Sequence, residues 1–178
     1  MHNIILFGTT GAGKTTIGRL LASRYHIGYL CTGDIVRKYS KEPVKAALSA
    51  GHLSPDQDII ETEVKKTLLK AYRPMVLDGI PRTVEQVQWL FEADNPYGYL
   101  GIYLNVPFSM ALRNVQARNR DMFDQEDMMR ARHETFMNTT MPLVEKFKDM
   151  NQLITMHIDY EDDVNAVFTM ILLRIKSY

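Results

Sequence analysis

The stretch Asn3–Leu21, NIILFGTTGAGKTTIGRLL, decides the reading of this chain. Four apolar residues, Ile4 to Phe7, run straight into a loop that holds Gly8, Gly11 and Gly13, and a helical pattern follows. Gly8–Thr15 fits G-x-x-x-x-G-K-[ST], with a strand expected before it and a helix after it. Glycines let the backbone curl without Cβ clashes and turn successive N–H groups onto one centre. The helix start adds free N–H groups and a positive dipole end. Lys14 supplies a full charge, and the Thr15 hydroxyl is a hard oxygen suited to magnesium. Gly8, Gly11, Ala12, Gly13, Lys14, Thr15 and Thr16 are therefore expected to hold the phosphates of a nucleoside triphosphate. The loop alone does not say which chemistry follows, since motors, switches, transporters and kinases share it.

Working outward, the chain has 178 residues, enough for one domain over 1–178. It is 46% hydrophobic and 24% charged, with 21 Lys+Arg against 21 Asp+Glu. A balanced charge gives no bulk field for nucleic acid or an anionic membrane, so an anion site has to be built locally. The single cysteine, Cys31, excludes a disulfide framework and argues against a cysteine-based zinc site. No apolar run reaches membrane-spanning length, and Ile4–Phe7 is too short for a signal peptide. These features fit a cytoplasmic chain. The histidines show no helical ligand spacing, so none is assigned to a metal.

Apolar runs alternate with helical patterns. Strands are expected at Ile4–Phe7, Gly28–Cys31, Pro74–Gly79, from Tyr99 to Pro107, and at Leu153–His157. Helices are expected at Lys14–Tyr25, Asp34–Ser40, Pro43–Ala50, Pro55–Lys70, Thr83–Phe91, Met110–Arg118 and Asp162–Lys176. Asp127–Asp149 reads as mostly helical, broken or kinked at Pro142. Short apolar strands separated by helices imply an α/β, three-layer sandwich around a five-stranded parallel sheet. Ligands of such sheets bind beyond the carboxyl ends of the strands. Attention therefore falls on Gly8–Thr16, Cys31–Asp34, Asp78–Arg82 and Asn105–Pro107.

Three further stretches narrow the reading: YLCTGDIVR (Tyr29–Arg37), VLDGIPRTVEQ (Val76–Gln86), and RNRDMFDQEDMMRARHETF (Arg118–Phe136). Asp78 ends a buried strand, where a carboxylate without a cation is costly, and it is placed to hold magnesium directly or through water. The plainer alternative is an aspartate capping the next turn. Arg82 follows on the same edge, and a planar guanidinium suits bidentate phosphate binding. The third stretch interleaves Arg113, Arg118, Arg120, Arg130 and Arg132 with acidic residues. It reads either as a phosphate clamp or as a charged helix face.

In TGD-x-x-R, DG-x-PRT-x-x-Q and their order, the chain resembles the adenylate kinase family of nucleoside monophosphate kinases, from Asn3 to the last helix. The resemblance implies a P-loop NTPase fold with a helical acceptor-binding arm over roughly 32–70 and a short lid over roughly 116–126. It implies Mg2+ with ATP as the donor and reversible γ-phosphoryl transfer to AMP, giving two ADP. Arg37 and Arg82 would hold the acceptor phosphate beside Gly79. Thr32, Gln86 and the backbone near Leu53 and Ser54 would enclose its base; otherwise Gln86 is a solvent-facing residue on an amphipathic helix. Arg113 would pack on the donor adenine, with Arg118 as a second lid arginine. Arg120 and Arg132 would clamp phosphates, completing a catalytic set with Lys14 and Arg82. Thr15 and Asp78 would hold the metal, and the chain would act as a monomer.

The chain also departs from that pattern. Thr15 stands where the family has glycine, Thr10 where it has proline, and Ile80 where it has phenylalanine. The lid is short, and of its usual paired aspartates only Asp124 is present. Two alternatives stay open. One is a UMP/CMP or deoxynucleotide kinase. The other is a P-loop switch or assembly factor with weak ATPase activity, which would need no second nucleotide pocket.

Overall fold

A computed structural model describes residues 1–39, 57–92, 96–118 and 126–178. Five strands form the sheet: β1 (Asn3–Phe7), β2 (Gly28–Cys31), β3 (Met75–Asp78), β4 (Tyr99–Asn105) and β5 (Leu153–His157). All neighbours pair in parallel, in the order β2-β3-β1-β4-β5. The chain leaves β1 toward one edge and crosses back after β3 to build the other half. The crevice at the carboxyl end of the central strand follows from that reversal.

Eight α-helices are described: α1 (Lys14–Tyr25), α2 (Thr32–Tyr39), α3 (Gln57–Leu69), α4 (Val84–Glu92), α5 (Phe108–Arg118), α6 (Glu126–Thr135), α7 (Met141–Asp149) and α8 (Val164–Ile175). The period-2 alternation of each strand divides the core between them. Ile4, Leu6, Val76, Ile102 and Leu104 point to one face and meet Ile17 and Leu21 of α1, Ala111 of α5 and Val167 and Ile171 of α8. Ile5, Phe7 and Leu77 point to the other and meet Val64 of α3, Leu90 of α4 and Phe147 of α7. This is the expected three-layer sandwich.

Most boundaries fall within two residues of expectation. The exception is Pro142. The chain stays helical from Glu126 to Asp149, and one π turn, Phe136–Thr140, joins α6 to α7. The Met141 N–H donates to the Phe136 carbonyl, five residues back. Pro142 then falls in the first turn of α7, where a missing N–H is tolerated. A wide turn placed just before the proline thus takes the place of the expected break. The expected helix Pro43–Ala50, with Leu53 and Ser54, lies outside the described residues, as does Arg120 with most of the expected lid.

Candidate active site

The glycine loop closes over the carboxyl end of β1. Gly8, Gly11 and Gly13 all have positive φ, at 145°, 86° and 90°. Gly11 is also tightly packed: a Cβ there would fall inside contact distance of the Ala111 carbonyl oxygen and 2.9 Å from Val115 Cγ2. Lys14 Nζ donates to the carbonyls of Gly8 (2.7 Å) and Thr9 (2.8 Å), so its charge lies over the loop. Asn114 Nδ2 of α5 donates to the Gly11 carbonyl at 3.1 Å. From α6, His133 Nδ1 pairs with the Thr9 hydroxyl at 3.3 Å.

Asp78 ends β3 beside this loop, buried. Its Oδ2 accepts two hydroxyl hydrogen bonds, from Thr15 Oγ1 and from Tyr29 OH, both at 2.8 Å. The turn-capping alternative for Asp78 does not describe this arrangement, since its carboxylate faces the phosphate loop. Burial, the Asp78 charge and the hydrogen bond to Asp78 together raise the Tyr29 phenol far above its usual pKa, so it remains a donor. Burial and then the Asp78 charge raise the Cys31 thiol, which disfavours the reactive thiolate.

Beyond Asp78 the chain turns at Gly79, whose φ is 87°. Thr32 Oγ1, at the start of α2, donates to the Gly79 carbonyl at 3.1 Å and ties the ends of β2 and β3 together. Arg82 Nε donates to the same carbonyl at 2.8 Å. The Arg82 N–H is held by Gln86 Oε1 at 2.7 Å, and its carbonyl accepts from Thr140 Oγ1 at 3.2 Å, in the π turn. The Arg82 side chain is exposed. Desolvation lowers its pKa; the charges of Asp78 and Cys31 oppose this, and that of Arg132 adds to it. An arginine starts so far above neutrality that it remains a cation. Arg82 and Arg132, close enough to repel, favour an anion beside them.

Of the other expected residues, Gln86 is 7% exposed, so the solvent-facing alternative is corrected. Arg113 stacks on the Tyr160 ring at 4.6 Å, and the Tyr160 hydroxyl donates to Ser109 Oγ at 2.7 Å. Arg130 pairs with Glu126 and lies 5.3 Å from the Phe108 ring centroid. Arg37 stands on α2 and Arg118 ends α5. Ala12 and Thr16 lie in the loop and the first turn of α1.

Sequence reasoning missed Tyr29, His133, Thr140 and Tyr160. For Tyr29 a signal existed. Cys31 pairs with Asp78 across the sheet, and Tyr29 lies two residues earlier on the same face. A tyrosine is long enough to span that step of about 7 Å along a strand.

Among the described residues no cluster of three His, Cys, Asp or Glu side chains could cage a metal. Magnesium rarely uses such a cage; it takes one or two carboxylates, with substrate phosphates and water completing the shell. The hard oxygens of Asp78 and Thr15 beside the phosphate loop fit that requirement.

A strand, a phosphate loop and a helix at the carboxyl end of a parallel sheet define a P-loop NTPase fold, the class to which phosphotransferases of this kind belong. The comparison with known proteins gives the family. The adenylate kinase family model matches residues 6–152. Adenylate kinase 1 of Nostoc sp. is 31% identical, covering 92% of this chain and 94% of its own. The adenylate kinase of Trichodesmium erythraeum is 32% identical, covering 94% of both. That of Encephalitozoon cuniculi is 29% identical, covering 86% and 88%. The chain belongs to the adenylate kinase family and is a nucleoside monophosphate kinase.

Proposed function

We propose that the chain transfers the γ-phosphoryl group of ATP to AMP, reversibly, giving two ADP. The observation that supports this most is the pairing of two anion sites: the glycine loop with Lys14, and Arg82 with Arg132 across the cleft. A switch or assembly factor with weak ATPase activity needs only the first.

The donor phosphates lie on the N–H groups of Gly11 to Thr16, with Lys14 turned onto them from the Gly8 and Thr9 carbonyls. Asp78 and Thr15 would hold Mg2+, which when bound would supply neutralisation of charge on the donor phosphates. The acceptor phosphate lies on Arg82, held in place by Gly79, Gln86 and Thr140. Arg37, Arg120 and Arg132 join it, and Arg118 and Arg113 serve the donor. The acceptor oxygen needs no general base, because a phosphate monoester with a second pKa of about 6 is largely ionised at neutral pH. The arginines and Lys14 neutralise the charge that spreads over the transferring group. Closure of the arm and lid excludes water as a competing acceptor. The family resemblance supports a monomer, and a single cysteine fits a reducing compartment such as the cytoplasm. Among the described residues no helix is long and apolar enough to cross a membrane.

A UMP/CMP or deoxynucleotide kinase is the second reading. Gln86 Oε1 is engaged by the Arg82 N–H, and the Thr32 hydroxyl by Gly79. An amide oxygen has a second lone pair, so these bonds are compatible with reading adenine, and pyrimidine monophosphates are the rival acceptors. Product formation with Mg·ATP and each of AMP, CMP, UMP, GMP and dTMP, followed by chromatography, tests the proposal. ADP in about twofold stoichiometry with AMP alone is expected for a reaction that uses both anion sites. Transfer to CMP or UMP would refute the base assignment, and slow ADP release indifferent to acceptor would refute kinase action.

A further inference from the structure

Tyr29 is built into the site at a cost to α1. Gly18 lies in the interior of that helix, a position where glycine is among the poorest helix formers. A Cβ on Gly18 would come within 2.7 Å of Tyr29 Cε2 and 2.9 Å of Leu6 Cδ1. The missing side chain is therefore the space the Tyr29 ring occupies. The Arg19 guanidinium lies 5.9 Å from the centroid of the same ring. A ring that only filled space would be as well served by phenylalanine. This one carries a hydroxyl, and that hydroxyl reaches Asp78 Oδ2 at the same 2.8 Å as Thr15. Both bonds fall on one oxygen. Asp78 Oδ1 accepts no hydrogen bond among the described residues, so the two hydroxyls hold the carboxylate through one oxygen and leave the second without a hydrogen-bond partner.

We propose that Tyr29 is a positioning residue for magnesium use: it clamps Asp78 together with Thr15, and Gly18 is the cut-out in α1 that lets it do so. The proposal rests on the reading of Asp78 as the carboxylate that serves the donor's metal. In the free side chain, rotation about the Cβ–Cγ bond would spread that carboxylate over several orientations. Two hydrogen bonds on one oxygen, one from the phosphate loop and one from β2, remove that freedom before the metal arrives. Preorganisation of this kind contributes to affinity without adding a contact to the metal.

The test uses equilibrium binding of a fluorescent mant-ATP to the full chain, with MgCl2 or with EDTA, for the wild type, Tyr29→Phe, Gly18→Ala and Asp78→Asn. The quantity read is the gain in affinity that magnesium brings. Tyr29→Phe is expected to reduce that gain about tenfold, the scale of one hydrogen bond to a charged group, and to leave binding in EDTA unchanged. Gly18→Ala, which must displace the ring while favouring the helix, is expected to reproduce the loss. It also provides the readout if Tyr29→Phe does not fold. Asp78→Asn separates the two readings. If it abolishes the gain while Tyr29→Phe and Gly18→Ala keep it, Tyr29 is only packing and the proposal is overturned. If Asp78→Asn also keeps the gain, the assignment of the metal to Asp78 fails, and the role of Tyr29 fails with it.

Discussion

Gly11 and Gly13 offer a matched pair in one loop. Both have φ near 90°, so replacing either by alanine forces an L side chain into the left-handed region, at about 1–2 kcal/mol. Alanine also narrows the unfolded ensemble, which returns about 0.4–1 kcal/mol in each case. The surroundings differ. Nothing lies within 4 Å of a Cβ built on Gly13, whereas one on Gly11 meets the Ala111 carbonyl carbon and Val115 Cγ2 at 2.9 Å each, besides the closer carbonyl oxygen. The obstacle on Gly11 is largely the backbone of α5, which cannot rotate away as a side chain would, so overpacking adds about 2 kcal/mol. The expected losses are thus about 1 kcal/mol for Gly13→Ala and about 3 kcal/mol for Gly11→Ala. At about 2–4 °C per kcal/mol for a domain of this size, the second variant melts roughly 6–12 °C below the wild type. Trp89 is the only tryptophan and is buried, so its fluorescence follows unfolding in urea or with temperature. Equal losses for the two variants, within about 0.5 kcal/mol, would show that the α5 contact carries no weight and that backbone strain explains both.

Arg82→Ala is expected to lower kcat by about 10³-fold and to raise the acceptor KM, while leaving donor binding in place. Arg82→Lys should recover little, since an ammonium cannot make the Nε bond to Gly79 and a bidentate phosphate contact together. Unchanged acceptor kinetics in Arg82→Ala would remove that residue from the site. Asn3 is fully buried, with Oδ1 accepting the Met75 N–H at 2.9 Å and Nδ2 donating to the Tyr97 carbonyl at 3.2 Å. Asn3→Ala is expected to cost about 2 kcal/mol of unfolding free energy by leaving a buried N–H unpaired, read as a lower urea midpoint with an unchanged slope.

The glycine loop was legible because its chemistry is local: a strand, three glycines, a lysine and a hydroxyl stand in consecutive residues. The sheet was legible for a similar reason, since buried parallel strands are short apolar runs. What stayed hidden depends on partners distant in sequence. Tyr29 looks like an ordinary strand residue until the pairing of Cys31 with Asp78 is known. Gln86 stands on an amphipathic helix whose polar positions face solvent by pattern. Its burial follows from the turn at Gly79, which brings the Arg82 N–H to its side chain. Thr140 and Pro142 misled in another way. A proline inside a helical pattern signals a break, and only the carbonyl geometry of the preceding turn shows that the helix passes through it.

That wide turn sets a rule for how the chain tolerates length changes. Each residue advances an α-helix by about 100°, so the extra residue held between Phe136 and Thr140 offsets the phase of everything before it from everything after it. Leu143, Val144 and Phe147 lock the later half into the core, while Arg132 and His133 on the earlier half face Arg82 and Thr9. Removing a single residue between positions 136 and 140 would make the rod regular and swing Arg132 and His133 around its axis, away from both. The segment works as a fixed gear offset between scaffold and cleft, so a one-residue deletion there strikes at the chemistry while the packed half of the helix keeps its seat.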